Sequence, residues 1–358
     1  MSDQTKGVVE YRPETPARGA QLFARLDRLS LDAHDMDSAG NADAAANAPA
    51  AEPPPQTTTV PALDIVVDNF ELNAKKLGRL EVAATLQSGA RDWRLTKLAL
   101  TTPEAKLSGS GRWSGAPVRH MALDFDLELA DSGAFLERLG MGRVLKKGKG
   151  KLAGAVTWTG SPLALDYPSL AGKLRVEIDQ GQFLKADAGA ARLLGVLSLQ
   201  SLPRRLTLDF RDLFDEGFAF DNVTGDVLIE RGVATTKDFR MRSATAAVLM
   251  SGRADLKAET QDLDVIIVPE INAGAASLAY AAINPVIGIG TFLAQLFLRS
   301  PLTEAGTREL RVSGSWANPK VDQVEHKAAV AAAAAAASAA RADEAAAAAS
   351  NAFARPMP

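Results

Sequence analysis

Side chains that could perform chemistry are few and scattered in this sequence. The 358 residues include no cysteine and only three histidines, His34, His120 and His326, which are far apart. Zinc and iron–sulfur sites are built from clustered cysteine and histidine ligands, and a cysteine nucleophile requires a thiol. We therefore predict no metal site, no cofactor and no cysteine-based catalysis.

Two glycine-rich segments come close to a nucleotide-binding motif without matching it. Residues 109–115 (GSGRWSG) and 148–154 (GKGKLAG) place the last glycine one position later than G-x-G-x-x-G requires. Both segments lead into strand-like sequence, whereas a dinucleotide-binding motif opens a helix. The phosphate-loop, H-E-x-x-H and G-x-S-x-G motifs are absent from the sequence. With no catalytic residue identifiable, we predict that the protein is not an enzyme.

The charge balance argues against a nucleic-acid partner. The chain has 40 Lys and Arg residues against 43 Asp and Glu residues, a formal net charge of −3. A nucleic-acid-binding domain needs a clustered excess of Lys and Arg. One small basic turn contains Lys146, Lys147, Lys149 and Lys151, for which an exposed turn is favoured over a phosphate contact.

The elements that must position any site are mainly strands. Through most of residues 61–325 apolar and polar side chains alternate, as in antiparallel strands that are wet on one face only. The alternation is clearest at 123–129, 174–178 and 206–210.

Candidate helices are too few to cover the apolar face of such a sheet. They occupy 131–141, 187–202 and an uncharged stretch at 271–298. A sheet buries its apolar face against another layer. The sheet must therefore close on itself, pack as a sandwich or hold an apolar ligand.

The uncharged stretch 271–298 is long enough to span a bilayer, but Pro285 divides it into two halves. We predict an apolar helical hairpin and leave open whether it contacts a membrane or is buried at the end of the sheet. The residues expected to face a membrane or cap a groove lie in its second half: Ile287, Ile289, Phe292, Leu293, Leu296 and Phe297.

Composition divides the chain into four parts. Residues 1–31 are strand-like and read as the remnant of a preceding β-section, and residues 32–60 form an Ala- and Pro-rich flexible linker. The β-region with its apolar hairpin occupies 61–325. Residues 326–358 form an Ala-rich tail that is helical or disordered, because alanine is the best helix former.

Two long segments resemble a known family. Residues 180–232 (from QGQFLKADAG to LIERG) and 262–324 (from DLDVIIVPEI to WANPKVDQV) resemble the C-terminal region of the YhdP-type members of the AsmA-like family. Upstream, residues 63–82 (LDIVVDNFELNAKKLGRLEV) and 123–140 (LDFDLELADSGAFLERLG) are similar to the preceding section of that family.

The resemblance implies a fold and a function. Family members are envelope proteins of Gram-negative bacteria, anchored in the inner membrane by an N-terminal helix and extending through the periplasm. Their elongated, curved antiparallel sheet forms an open, taco-like apolar groove, which is thought to conduct phospholipid towards the outer membrane. For this chain the resemblance implies non-enzymatic lipid transport in outer-membrane biogenesis and a periplasmic, membrane-associated location. Because the anchor and most of the β-body are absent, we expect the chain to be a C-terminal piece.

The implied partners are phospholipid acyl chains in the groove and a membrane in contact with the apolar hairpin. The residues expected to line the groove are Leu123, Phe125, Leu127, Leu129, Leu174, Val176, Leu206, Leu208 and Phe210. The alternative is a structural or assembly factor of the cell envelope with a closed β-core and no lipid path, because a period of two is common to both.

Overall fold

The fold is a single open, curved sheet in which every strand pairs with its neighbours in chain order. The computed structural model describes residues 5–13, 20–31, 62–86, 92–114, 118–162, 164–184, 218–269 and 307–324. Within these residues the sheet has 15 strands, which confirms the prediction of a mainly β fold. The predicted hairpin, linker, 187–202 helix and Ala-rich tail lie outside the described residues.

The first seven strands are β1 (Thr5–Arg12), β2 (Gln21–Leu31), β3 (Ala62–Leu72), β4 (Lys75–Leu86), β5 (Trp93–Thr101), β6 (Ala105–Ser114) and β7 (His120–Leu129). The remaining eight are β8 (Leu145–Thr159), β9 (Ala171–Phe183), β10 (Phe218–Glu230), β11 (Val233–Arg242), β12 (Ala246–Asp255), β13 (Thr260–Pro269), β14 (Arg308–Ser315) and β15 (Asn318–Gln323).

One neighbouring pair departs from the antiparallel arrangement. Strands β2 and β3 are parallel, with Gln21 opposite Ala62 and Leu31 opposite Leu72. A parallel pair needs a crossover of a dozen or more residues, and residues 32–61 supply that length. The N-terminal strands are therefore part of the same sheet as the rest of the chain, and Leu26 of β2 packs with Val67 of β3 in one apolar cluster.

The connections between strands divide into two rims. One rim, here named the helix rim, holds the connection between β7 and β8 and the ends where β9 and β13 leave the sheet. The opposite rim, here named the turn rim, is closed by short connections such as Arg231–Gly232 between β10 and β11. Both turn residues have positive φ, 50° and 76°, as a two-residue hairpin turn requires.

The helix rim carries α1 (Ser132–Arg138), at the helical signal predicted for 131–141. Asp131 caps it, because its side chain accepts a hydrogen bond from the Ala134 N–H at 2.9 Å. Phe135 is buried in a cluster with Ala105 and Leu129. The Arg138 guanidinium donates to both carboxylate oxygens of Glu104, which joins the helix to the β5–β6 turn.

The two faces of the sheet differ in polarity. We name the side that carries Leu123, Phe125 and Leu127 the inner face and the side that carries Asp124 and Asp126 the outer face. The outer face is charged over most of the sheet but not in the halves of β12 and β13 nearer the helix rim, where the outer residues Ala247, Leu249 and Val268 are all 0% exposed. These halves are buried on both faces, and unbroken apolar runs such as AAVLM (246–250) and VIIV (265–268) are typical of strands with that burial.

Candidate functional site

The inner face brings the predicted lining residues of β7 and β9 together. Leu127 of β7 lies opposite Leu107 of β6 and Leu152 of β8, and Leu152 lies opposite Val176 of β9. In antiparallel pairs, residues directly opposite each other have their side chains on the same face. Leu127 and Val176 therefore belong to one apolar row that crosses four strands.

A second row runs parallel to the first. Phe125 lies opposite Gly109 and Gly154, and Gly154 lies opposite Leu174, which in turn faces Val227 of β10. The row alternates large side chains with glycine. Phe125 and Leu174 pack against the same buried cluster, which includes Val156 and Trp158.

The predicted lining residues form a surface that is neither fully covered nor fully open. Leu123, Phe125, Leu127, Leu174 and Val176 are half-buried. Leu129, at the end of β7, is 9% exposed and packs under α1. The remaining predicted site residues lie outside the described residues: Leu206, Leu208, Phe210, Ile287, Ile289, Phe292, Leu293, Leu296 and Phe297.

The glycines of this face allow the strands to approach closely. A Cβ placed on Gly154 would contact the Lys173 carbonyl oxygen and come within 2.6 Å of Leu174 Cδ2. A side chain at this position would require the backbone of β9 to move. Because Gly154 has no side chain, the inner face has a shallow depression there, bordered by Phe125 and Leu174.

The inner face extends over strands that sequence reasoning did not assign to it. Leu98 of β5 lies opposite Gly109 and so belongs to the second row, with Phe125. Leu95 lies opposite Gly111, in a further row that contains Leu123. A period of two places residues three apart on opposite faces, but the register shifts between Leu95 and Leu98. This β-bulge returns both leucines to the inner face. The apolar residues of WRLTKLAL (93–100) indicate a strand, but a strict period of two does not show that Leu95 and Leu98 share one face, because the bulge lies between them.

Cross-strand ion pairs hold the outer face. Arg175 donates to both carboxylate oxygens of Asp226 at 2.8 and 2.9 Å, and Arg311 binds Asp262 in the same two-bonded manner at 2.9 Å. These bonds lower the pKa of Asp226 and of Asp262, because they favour the charged carboxylate. These charges lie on the outer face and the apolar rows lie on the inner face, so one side of the sheet is polar and the other is apolar.

Two further features were sought in the part of the chain that the structure describes: a metal-binding cluster and a membrane-spanning helix. The described side chains form no group of three or more potential ligands that could hold a metal ion. Among the described helices, none has both the length and the apolar character needed to cross a membrane.

Comparisons with known proteins identify a relative of the chain and the family to which it belongs. The intermembrane phospholipid transporter YhdP of Escherichia coli (strain K12) is 26% identical to it over 252 residues. The alignment covers 70% of this chain and 20% of that protein, so the chain corresponds to about a fifth of the relative's length. No solved structure matches the chain. The family model described as YhdP protein matches residues 1–321, and the chain therefore belongs to the YhdP family.

Proposed function

We propose that this chain binds phospholipid acyl chains on its inner face and conducts phospholipid between the inner and outer membranes of the Gram-negative envelope, without catalysing a reaction. The observation that carries the proposal is the half-buried apolar surface that continues from β5 to β10. The described relative is named an intermembrane phospholipid transporter, which supports the same function.

The physical reason is the free energy gained when the methylenes of an acyl chain leave water for an apolar surface. Each methylene that leaves water contributes about 0.8 kcal/mol, so a lipid tail is held strongly by an apolar surface yet is free to slide along it. The half-buried surface crosses the six strands β5 to β10, which lie about 4.8 Å apart, so it forms a path of about 24 Å. Sliding along such a path avoids the cost of exposing the tail at each step.

The proposal also covers where the protein is located and what residues 271–298 do. The proposed location is the periplasm, in association with membrane. The proposed role of residues 271–298 is to contact a membrane or to close the end of the groove. That segment lies outside the described residues, and the proposal for it depends on its uncharged sequence.

The test is lipid mass spectrometry on the chain, purified gently from cells, with two substitutions of the same kind on opposite faces. Leu174→Asp places a charge in the second inner row. Leu228→Asp is the matched control, because Leu228 follows Val227 on β10, lies on the outer face opposite Lys173 and is 41% exposed. Leu127→Asp repeats the inner substitution in the first row.

The expected result is phospholipid bound to the wild type and to Leu228→Asp, and none bound to folded Leu174→Asp or Leu127→Asp. Folded inner-face variants with the lipid content of the wild type would count against the groove. A folded wild type with no lipid would favour the structural or assembly role with a closed β-core.

A further inference from the structure

Three large apolar side chains are exposed on neighbouring connections of the turn rim. Val118 is 53% exposed in the β6–β7 connection, and Leu165 and Tyr167 are 44% and 48% exposed in the β8–β9 connection. The two connections are joined, because the Gly160 N–H donates to the Arg119 carbonyl at 2.8 Å. Single exposed apolar residues are ordinary on a protein surface, whereas a group of them marks a site of contact. We name Val118, Leu165 and Tyr167 the rim patch.

Tryptophans lie beside the rim patch at the same ends of the strands. Trp93 begins β5 and lies opposite Trp113 of β6. The Trp113 Nε1–H donates to the Gly160 carbonyl at 2.7 Å and the Trp158 Nε1–H to the Ser161 carbonyl at 2.8 Å, so both rings are fixed to the β8–β9 connection. Tryptophan and tyrosine are enriched where the hydrocarbon of a bilayer meets its headgroups, because their rings are apolar and their N–H or O–H groups are polar. The turn rim has the side-chain composition of such an interface.

The half-buried inner surface reaches the turn rim at this place. Trp93 and Trp113 are half-buried, whereas Met121 and Trp158, at the rim ends of β7 and β8, are 3% and 5% exposed. A bilayer in contact with this rim therefore meets, at β5 and β6, the surface proposed to hold acyl chains.

Two arginines at this rim have no partner among the described residues. Arg94 and Arg112 are exposed on the outer face and lie directly opposite each other, and neither makes a hydrogen bond or an ion pair there. Like charges directly opposite each other destabilise a sheet, and the cross-strand pair Arg175–Asp226 has the complementary arrangement. Arg94 and Arg112 line a shallow depression of about 490 Å³ whose lining includes Asp124, so two positive charges stand against one negative charge. Such a depression suits a phosphate group, which binds guanidinium groups strongly.

We propose that the turn rim from β5 to β9 docks on the surface of a phospholipid bilayer. The rim patch enters the boundary between headgroups and hydrocarbon, the tryptophans lie beside it, and Arg94 and Arg112 bind lipid phosphates on the outer side of the rim. A bilayer fits better than a protein partner, because the apolar and aromatic side chains lie next to both unpaired guanidinium groups and the half-buried inner surface. The inference goes beyond the proposed function, since this contact does not require lipid on the inner face. It is also separate from the contact proposed for residues 271–298.

The test is co-flotation of the purified chain with phosphatidylcholine vesicles, prepared with and without phosphatidylglycerol. Val118→Asp and Tyr167→Asp each place a charge in the rim patch and are expected to weaken vesicle binding about tenfold, because a charged side chain is costly at the hydrocarbon boundary. Val8→Asp is the matched control for Val118→Asp. Val8 is 67% exposed in the middle of β1, opposite Arg25, and its variant is expected to bind as the wild type does. Circular dichroism checks the fold of every variant.

A second pair of variants tests the phosphate contacts. Arg112→Gln is expected to weaken binding to vesicles with phosphatidylglycerol about fivefold, the usual contribution of one basic residue near an anionic surface. Arg28→Gln is its matched control, because Arg28 is also exposed and directly opposite a cation, Lys6, but lies towards the helix rim. Its binding is expected to stay within about twofold of the wild type, since the attraction falls off within a Debye length.

The outcomes separate this inference from the proposed function. A wild type that does not bind vesicles overturns the inference, and so do rim variants that bind as the wild type does. A loss in Val8→Asp equal to that in Val118→Asp also overturns it, because any added charge then has the same effect. Lipid mass spectrometry on the same preparations is expected to find wild-type lipid content in the rim variants. Absence of copurified lipid from the wild type overturns the proposed function and leaves the vesicle test in force.

Discussion

The most discriminating prediction concerns the stability cost of shortening a leucine on the inner face. We expect Leu127→Ala to cost about 1–1.5 kcal/mol of the free energy of unfolding in delipidated protein. Three carbons are removed, worth about 2.4 kcal/mol at full burial, but Leu127 is half-buried in its row. No cavity cost is added if the surface is open, because water occupies the space.

The reference variant is Leu249→Ala. Leu249 lies in the half of β12 that is buried on both faces, and it is 0% exposed. The same three carbons are then removed from a closed environment, and we expect the transfer and cavity terms together to reach about 3–5 kcal/mol. The comparison holds the substitution constant and changes only the surroundings.

The assay is urea unfolding followed by far-ultraviolet circular dichroism, with the shift of the midpoint converted at a common slope. Delipidation is checked by mass spectrometry before each titration. A cost for Leu127→Ala within about 0.5 kcal/mol of that for Leu249→Ala would refute the open groove and support the closed β-core.

Two further predictions concern the rim and the close strand contact. Arg138 lowers the pKa of Glu104, chiefly through its hydrogen bonds to the carboxylate. The stabilisation from this ion pair is therefore fully present above the ordinary pKa of a glutamate, and it is lost as the pH falls through the lowered pKa of Glu104. Glu104→Gln should therefore cost about 1–2 kcal/mol at pH 7 and make stability less dependent on pH between about 5 and 3, measured by urea unfolding at each pH; an unchanged pH profile would contradict the role of this ion pair. Gly154→Ala should cost about 1–3 kcal/mol in the same assay at pH 7, because the added Cβ meets the Lys173 carbonyl. Ala153→Gly, the neighbouring change on the outer face, is its control and should cost about 1 kcal/mol or less.

Much of the fold could be predicted from local sequence. The alternation through Leu123, Phe125 and Leu127 has one stable solution, because a slip of one residue would place every apolar side chain in water. The helix that follows Asp131 was likewise predicted, from the helical signal of residues 131–141. The same local reasoning predicted that Leu174 and Val176 share one face of β9, and the register confirms that this face is the one that carries Leu127.

Other features depended on pairings between distant residues. The bulge that turns Leu95 and Leu98 to one face exists only in the pairing of β5 with its neighbours, and the parallel pairing of β2 with β3 has no local signal. The sequence by itself determined that a long amphipathic sheet would form, since a period of two is written in each strand. Only the tertiary structure decided that Trp93, Trp113 and Tyr167 meet at one rim, because that depends on the number and register of all the strands between them.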